Sequence, residues 1–133
     1  MDSILNQLKK SVVQTVALSK EWFELNSKLI DRVNYFKRGA LNDNGTGSVY
    51  AYFSSDGECL YVGQTSRTIK ARQHDQTSAH KNKDWWSDWD HVRFVQEKNN
   101  DSRLLLEILL IQAYEPNNNV KPKAVGLNDW LQS

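Results

Sequence analysis

Ser48-Val49-Tyr50-Ala51-Tyr52-Phe53 is followed, across Ser54-Ser55-Asp56-Gly57, by Glu58-Cys59-Leu60-Tyr61-Val62. The first and last runs are rich in β-branched and aromatic residues, and the four residues between them have turn chemistry. Together they predict a β-hairpin. A symmetric loop sets Tyr50 directly opposite Tyr61, two phenols side by side on one sheet face.

Downstream of the hairpin, Gly63-Gln64-Thr65-Ser66 leads into a helix expected from about residue 67 to residue 76. Residues 77–90 are polar and rich in tryptophan. His91-Val92-Arg93-Phe94-Val95-Gln96 alternates and predicts a third strand. Asp101 or Ser102 is the expected cap of an apolar helix over 103–114, which Pro116 and the Asn117-Asn118-Asn119 run bring to an end. Upstream, residues 3–37 hold no Gly or Pro and place apolar residues at helical spacing, from Ile4 to Phe36. They predict one helix, or two with a break near residues 17–21, closed by Gly39. Residues 39–47 are loop chemistry. Three segments follow: an N-terminal helical extension (1–40), a domain over 47–120 and a tail over 121–133. The expected fold is α+β, a three-stranded antiparallel sheet flanked by helices.

The chain has 133 residues, 17 basic and 16 acidic, for a net charge of +1. Its single cysteine, Cys59, excludes a disulfide framework or a cysteine-built metal cage. No apolar run approaches the ~20 residues of a membrane span. With no secretory signal at the start, a soluble cytoplasmic protein is expected. The near-neutral total hides local fields. Arg67, Lys70, Arg72, Lys81 and Lys83 cluster against Asp75 alone, with His74 and His80 among them. A solvated face is the plain reading of that cluster; phosphate contact is the functional one. Trp85, Trp86 and Trp89 suit stacking on bases, but tryptophans so close together more often pack over a sheet, and core is the favoured reading.

Glu107 stands out. It is the sole ionisable residue in Leu104-Leu105-Leu106-Glu107-Ile108-Leu109-Leu110-Ile111. An unpaired buried carboxylate is expensive. Glu107 is therefore paired, binds a metal, or lies with Arg103 and Gln112 on a wet face of the helix.

Taken together, these residues resemble the GIY-YIG nuclease family. Ser48-Val49-Tyr50 and Tyr61-Val62-Gly63, with ten residues between the tyrosines, resemble the two motifs that name it. Ile69 and Arg72 resemble the apolar position and the arginine of the helix that follows. Glu107, then Pro116 and Asn119, resembles the closing pattern. The likeness covers about residues 47–120. Ser48 departs from the usual glycine. One extra residue lies before Arg72, which leaves Arg67 as a second candidate for its place. Gln76 stands where members often carry histidine or tyrosine, so either His74 or His80 substitutes or the role is absent.

The resemblance implies divalent-metal-dependent hydrolysis of phosphodiester bonds in DNA. Tyr50 would activate or position the attacking water, and Tyr61 would orient water or phosphate. Arg72 would stabilise charge on the transferring phosphate. Glu107 would hold one Mg²⁺ or Mn²⁺ per site. Asn119 would hold the site's shape or bind phosphate, and His74 joins the catalytic set. Arg67, Lys70, His80, Lys81 and Lys83 would contact nucleic acid. A non-catalytic DNA- or protein-binding module on the same scaffold is the alternative. Residues 1–40 carry seven basic and four acidic residues; packing on the sheet, a homodimer and DNA contact are their three readings.

Overall fold

A computed structural model describes residues 2–74, 84–119 and 130–131 of the chain. Helix α1 (Asp2–Asn26) leads directly into strand β1 (Lys28–Asp31) and the single turn α2 (Arg32–Tyr35). The hairpin follows as β2 (Ser48–Phe53) and β3 (Cys59–Thr65), then helix α3 (Ile69–His74) and a 3-10 turn over Asp84–Ser87. Strand β4 (His91–Gln96) and helix α4 (Asn100–Tyr114) complete the domain.

The α+β class holds, but the sheet has four strands in the order β1-β4-β2-β3, all antiparallel, rather than three. The additional strand comes from the segment expected to be helical throughout. Its residues pair with β4, from Lys28 opposite Phe94 to Asp31 opposite His91. Leu29 and Ile30 fit a helical period as well as a strand. A partner more than sixty residues away in sequence decides between the two, and local pattern does not register it. Asp31 then caps α2, its carboxylate accepting from the Asn34 N–H at 2.7 Å. The predicted break at residues 17–21 is absent: α1 runs unbroken to Asn26.

The hairpin register differs from the symmetric one. Tyr52 faces Tyr61, and Tyr50 faces Gly63. The turn is wider, closed by a bond from Ser54 N–H to the Glu58 carbonyl at 2.9 Å. Phe53 then pairs with Cys59, leaving Leu60 as the extra residue of a β-bulge.

The sheet separates two cores. On one face Val49, Ala51, Phe53, Cys59 and Val62 pack against Phe23 of α1 and Leu110 and Ile111 of α4. On the other, Tyr50, Tyr52, Leu60, Val92 and Phe94 pack under Tyr35, Leu41, Ile69, Trp85 and Trp89. The tryptophans at 85 and 89 are thus core, as their crowding suggested. Cys59 is free and buried, and burial pushes its thiol up to about 12, which leaves it unreactive.

Helix α4 begins earlier than expected. Asn99 is its cap, accepting from Ser102 N–H at 2.9 Å, and Glu115 ends it in the left-handed region just before Pro116. Beyond α4 the chain runs along the outer side of β3. The N–H groups of Asn117 and Asn118 donate to the carbonyls of Cys59 and Leu60. The bulge carbonyl of Leu60 also accepts from the Asn118 side chain at 3.0 Å. No helix among the described residues is long and apolar enough to cross a membrane.

Candidate active site

The two motif tyrosines meet diagonally rather than face to face. Their rings stack with centroids 6.5 Å apart and planes 25° apart. This proximity follows from strand alternation: Tyr50, Tyr52 and Tyr61 all project from the face that carries α3. Tyr50 is 1% exposed and lies over Gly63. A Cβ on Gly63 would stand 2.6 Å from the Tyr50 hydroxyl and 2.7 Å from its Cζ. Gly63 does not occupy a positive-φ conformation, so glycine is needed there for space and not for backbone freedom.

Tyr61 is half-buried between Tyr50 and Trp85, whose ring stacks on it at 5.1 Å with planes 5° apart. Burial raises the Tyr61 pKa. The Glu107 charge raises it further, and the Arg72 charge opposes both. The phenol therefore keeps its proton at neutral pH and can donate a hydrogen bond. The charges of Arg72 on α3 and Glu107 on α4 thus both bear on Tyr61. Both are half-buried side chains, neither sealed in the core nor lost to bulk water.

Local chemistry aims α3 at this point. The Asp43 carboxylate accepts from Ile69 N–H at 2.8 Å, and the Thr68 hydroxyl accepts from Ala71 N–H at 3.1 Å. Ile69 is fully buried, which fixes the helix on the sheet, with Arg72 one turn further on.

Asn119 is buried, and both ends of its amide bind β3. It accepts from Val62 N–H at 2.9 Å and donates to the Val62 carbonyl at 2.7 Å. These bonds pin the residue between Tyr61 and Gly63.

Arg67 is exposed, with its N–H bonded to the Thr65 hydroxyl. Lys70 donates to the Lys37 carbonyl at 3.1 Å and lies over the Tyr35 ring, so a phosphate would compete with both contacts. His74 is the last residue of α3. His80, Lys81 and Lys83 lie outside the described residues.

Among the described residues, no three His, Cys, Asp or Glu side chains group to hold a metal ion. Glu107 is a hard oxygen donor on a half-buried side chain. It fits Mg²⁺, which takes one or two carboxylates and completes its shell with water and phosphate. It does not fit an all-protein cage.

Arg103 does not lie on a wet face of α4, one of the readings open in the sequence. It is 3% exposed, and Leu104, Leu105 and Ile108 face solvent instead. Its Nε donates to Gln64, next to Gly63, at 3.1 Å. Nη1 donates to the carbonyls of Glu97 and Lys98 at 2.9 and 3.0 Å, and Nη2 to the Asn100 side chain at 3.0 Å. Arg103 so ties the start of α4, and with it Glu107 one turn later, to the sheet. Its guanidinium leaves no room for a Cβ on Gly47. A lone arginine entering an apolar helix was the available signal.

The family model described as the GIY-YIG catalytic domain matches residues 46–121. No curated protein and no solved structure matches the chain.

Proposed function

The chain belongs to the GIY-YIG family, whose catalytic domain spans more than half of its length, and from that premise we propose that it is a metal-dependent DNA endonuclease. The family implies nuclease-type hydrolysis of phosphodiester bonds. The observation that supports the finer reading is the convergence on Tyr61: Arg72 and Glu107, from two helices far apart in sequence, both act on one stacked phenol.

In this reading Arg72 faces the scissile phosphate and stabilises the charge that builds on it. Tyr61 keeps its proton and donates to a phosphate oxygen or to the attacking water. Tyr50, held rigidly over Gly63, positions that water. Glu107 would hold one Mg²⁺ or Mn²⁺, which when bound neutralises charge on the leaving oxygen. Asn119 and Arg103 act through others, the first by fixing the strand between Tyr61 and Gly63, the second by fixing the start of α4. His74 is kept with the catalytic set, and Arg67, Lys70, His80, Lys81 and Lys83 are assigned to the path of the nucleic acid. With so near-neutral a chain, binding outside the site should be weak and salt-sensitive.

The test is incubation of the purified chain with supercoiled plasmid, single-stranded DNA and RNA, with Mg²⁺, with Mn²⁺ and with chelator. Metal-dependent nicking that disappears in Glu107→Gln and Arg72→Ala is expected. Absence of cleavage on all three, or cleavage undiminished in both variants, overturns the reading.

A further inference from the structure

Helix α1 carries a second apolar stripe that is exposed among the described residues. The helix docks through Ser19 and Phe23, both buried, with Val12, Val16 and Lys20 half-buried above them. A different row starts at Ile4 and Leu8, passes Ser11 and Thr15, and ends at Leu18, Trp22 and Leu25. The steps alternate between four and three residues, the spacing of a coiled-coil seam. Every member of the row is exposed: Ile4 at 75%, Leu8 at 52%, Leu18 at 62%, Trp22 at 42% and Leu25 at 77%. Among the described residues, no side chain of the helix before residue 19 is fully buried, and Trp130 meets this half of the helix at Lys9.

We propose that this stripe is the seam of an antiparallel dimer with a second copy of the chain. Three features of the helix single out that occupant. The row is self-complementary: apolar at both ends and hydroxylic in the middle. In an antiparallel pair Ser11 lies opposite Thr15, Leu8 opposite Leu18 and Ile4 opposite Trp22, each layer repeated by the two-fold axis. The charges also choose this direction. The half before Ser11 carries Lys9 and Lys10 against Asp2, and the half after Thr15 carries Glu21 and Glu24 against Lys20. Antiparallel packing sets unlike halves together, and a parallel pair would set like against like. The area is sufficient. Five apolar side chains per copy, at roughly 100 Å² each, remove on the order of 1,000 Å² across the pair, the size that separates specific interfaces from incidental ones. The seam is independent of the chemistry assigned to the site.

The test is molar mass by light scattering and sedimentation across a dilution series, with Leu8→Lys, Leu18→Glu and the two combined in one chain. Both positions are exposed, so each variant should keep the parent's far-ultraviolet circular dichroism. The parent should show twice the 15.4 kDa chain mass. Each single variant should fall to half that mass. The combined variant should recover the dimer, because opposite charges then meet twice across the antiparallel seam. A parent that is monomeric at every concentration overturns the proposal, whatever then covers the stripe. So do single variants that remain dimeric, which would place the interface elsewhere. A combined variant that stays monomeric overturns the antiparallel pairing.

Discussion

Gly63→Ala separates room for Tyr50 from mere integrity of the fold. The added Cβ would lie 2.6 Å from the Tyr50 hydroxyl and 2.7 Å from Cζ, where ordinary contact begins at 3.4 Å. The ring must therefore move by 0.8 Å at the hydroxyl and 0.7 Å at Cζ. Tyr50 is 1% exposed and packed against Tyr52 and Tyr61, so it can move only by disturbing them. Overpacking of this kind costs about 1–3 kcal/mol. For a chain of this size that is a melting temperature lower by roughly 3–15 °C. Displacement of a reacting group by nearly 1 Å costs about 100-fold in rate. Plasmid nicking well below the melting transition, set beside a thermal melt, reads both effects. Gly57→Ala supplies the control. Gly57 sits at φ +87° with nothing within 4 Å, so alanine there strains the backbone by about 1 kcal/mol and leaves the tyrosines alone. Stability should fall in both variants, and the rate in Gly63→Ala alone. Nicking by Gly63→Ala at the parent rate, or an equal loss of rate in Gly57→Ala, would refute the reasoning.

Asn119→Ala removes two buried bonds to Val62 and should lower unfolding free energy by about 2–3 kcal/mol in urea titrations; Asn119→Asp keeps the acceptor but turns a carboxylate on the Val62 carbonyl, so its deficit should shrink as pH falls and the carboxyl gains a proton. Arg103→Met strands the carbonyls of Glu97 and Lys98 and should cost about 2–4 kcal/mol by the same measurement, with Arg103→Lys recovering only part because an ammonium cannot span the acceptors on both sides. Alkaline pH should destabilise the protein. Burial raises Tyr35 to about 12 and Tyr52 well above the ordinary 10, so above pH 10 the unfolded chain releases protons that the folded one retains. The stabilisation is complete below pH 10 and is lost as pH rises toward the folded value, at about 1.4 kcal/mol per pH unit for each tyrosine. Denaturation at pH 9 and pH 11 checks this, and Tyr35→Phe should flatten the slope.

The elements that carry the candidate site were legible where their spacing is local. Tyr50 and Tyr61 belong to one hairpin, and Glu107 announced itself as a charge in an apolar run. Their exact pairing was not legible, because the bulge at Leu60 depends on a carbonyl that the Asn117–Asn119 segment bonds from outside the hairpin. Strand β1 was hidden for a related reason: only β4, distant in sequence, tells Leu29 and Ile30 that they are extended. The burial of Arg103 was not legible, because an arginine ordinarily signals solvent and its partners are mostly backbone carbonyls, which have no signature in sequence. The basic residues at 67 and 70 could be counted, but the hold of the Lys37 carbonyl on Lys70 could not.

Strand β1 has a practical consequence for anyone who would move this domain into another protein. The stretch matched by the family model, residues 46–121, contains the segment that shields β3 but not the strand that shields β4. Transplanted alone, it would present the row from His91 to Phe94 as a raw sheet margin, ready to recruit any extended chain. The smallest soluble unit of this protein should therefore start no later than Lys28, well before its catalytic motifs begin.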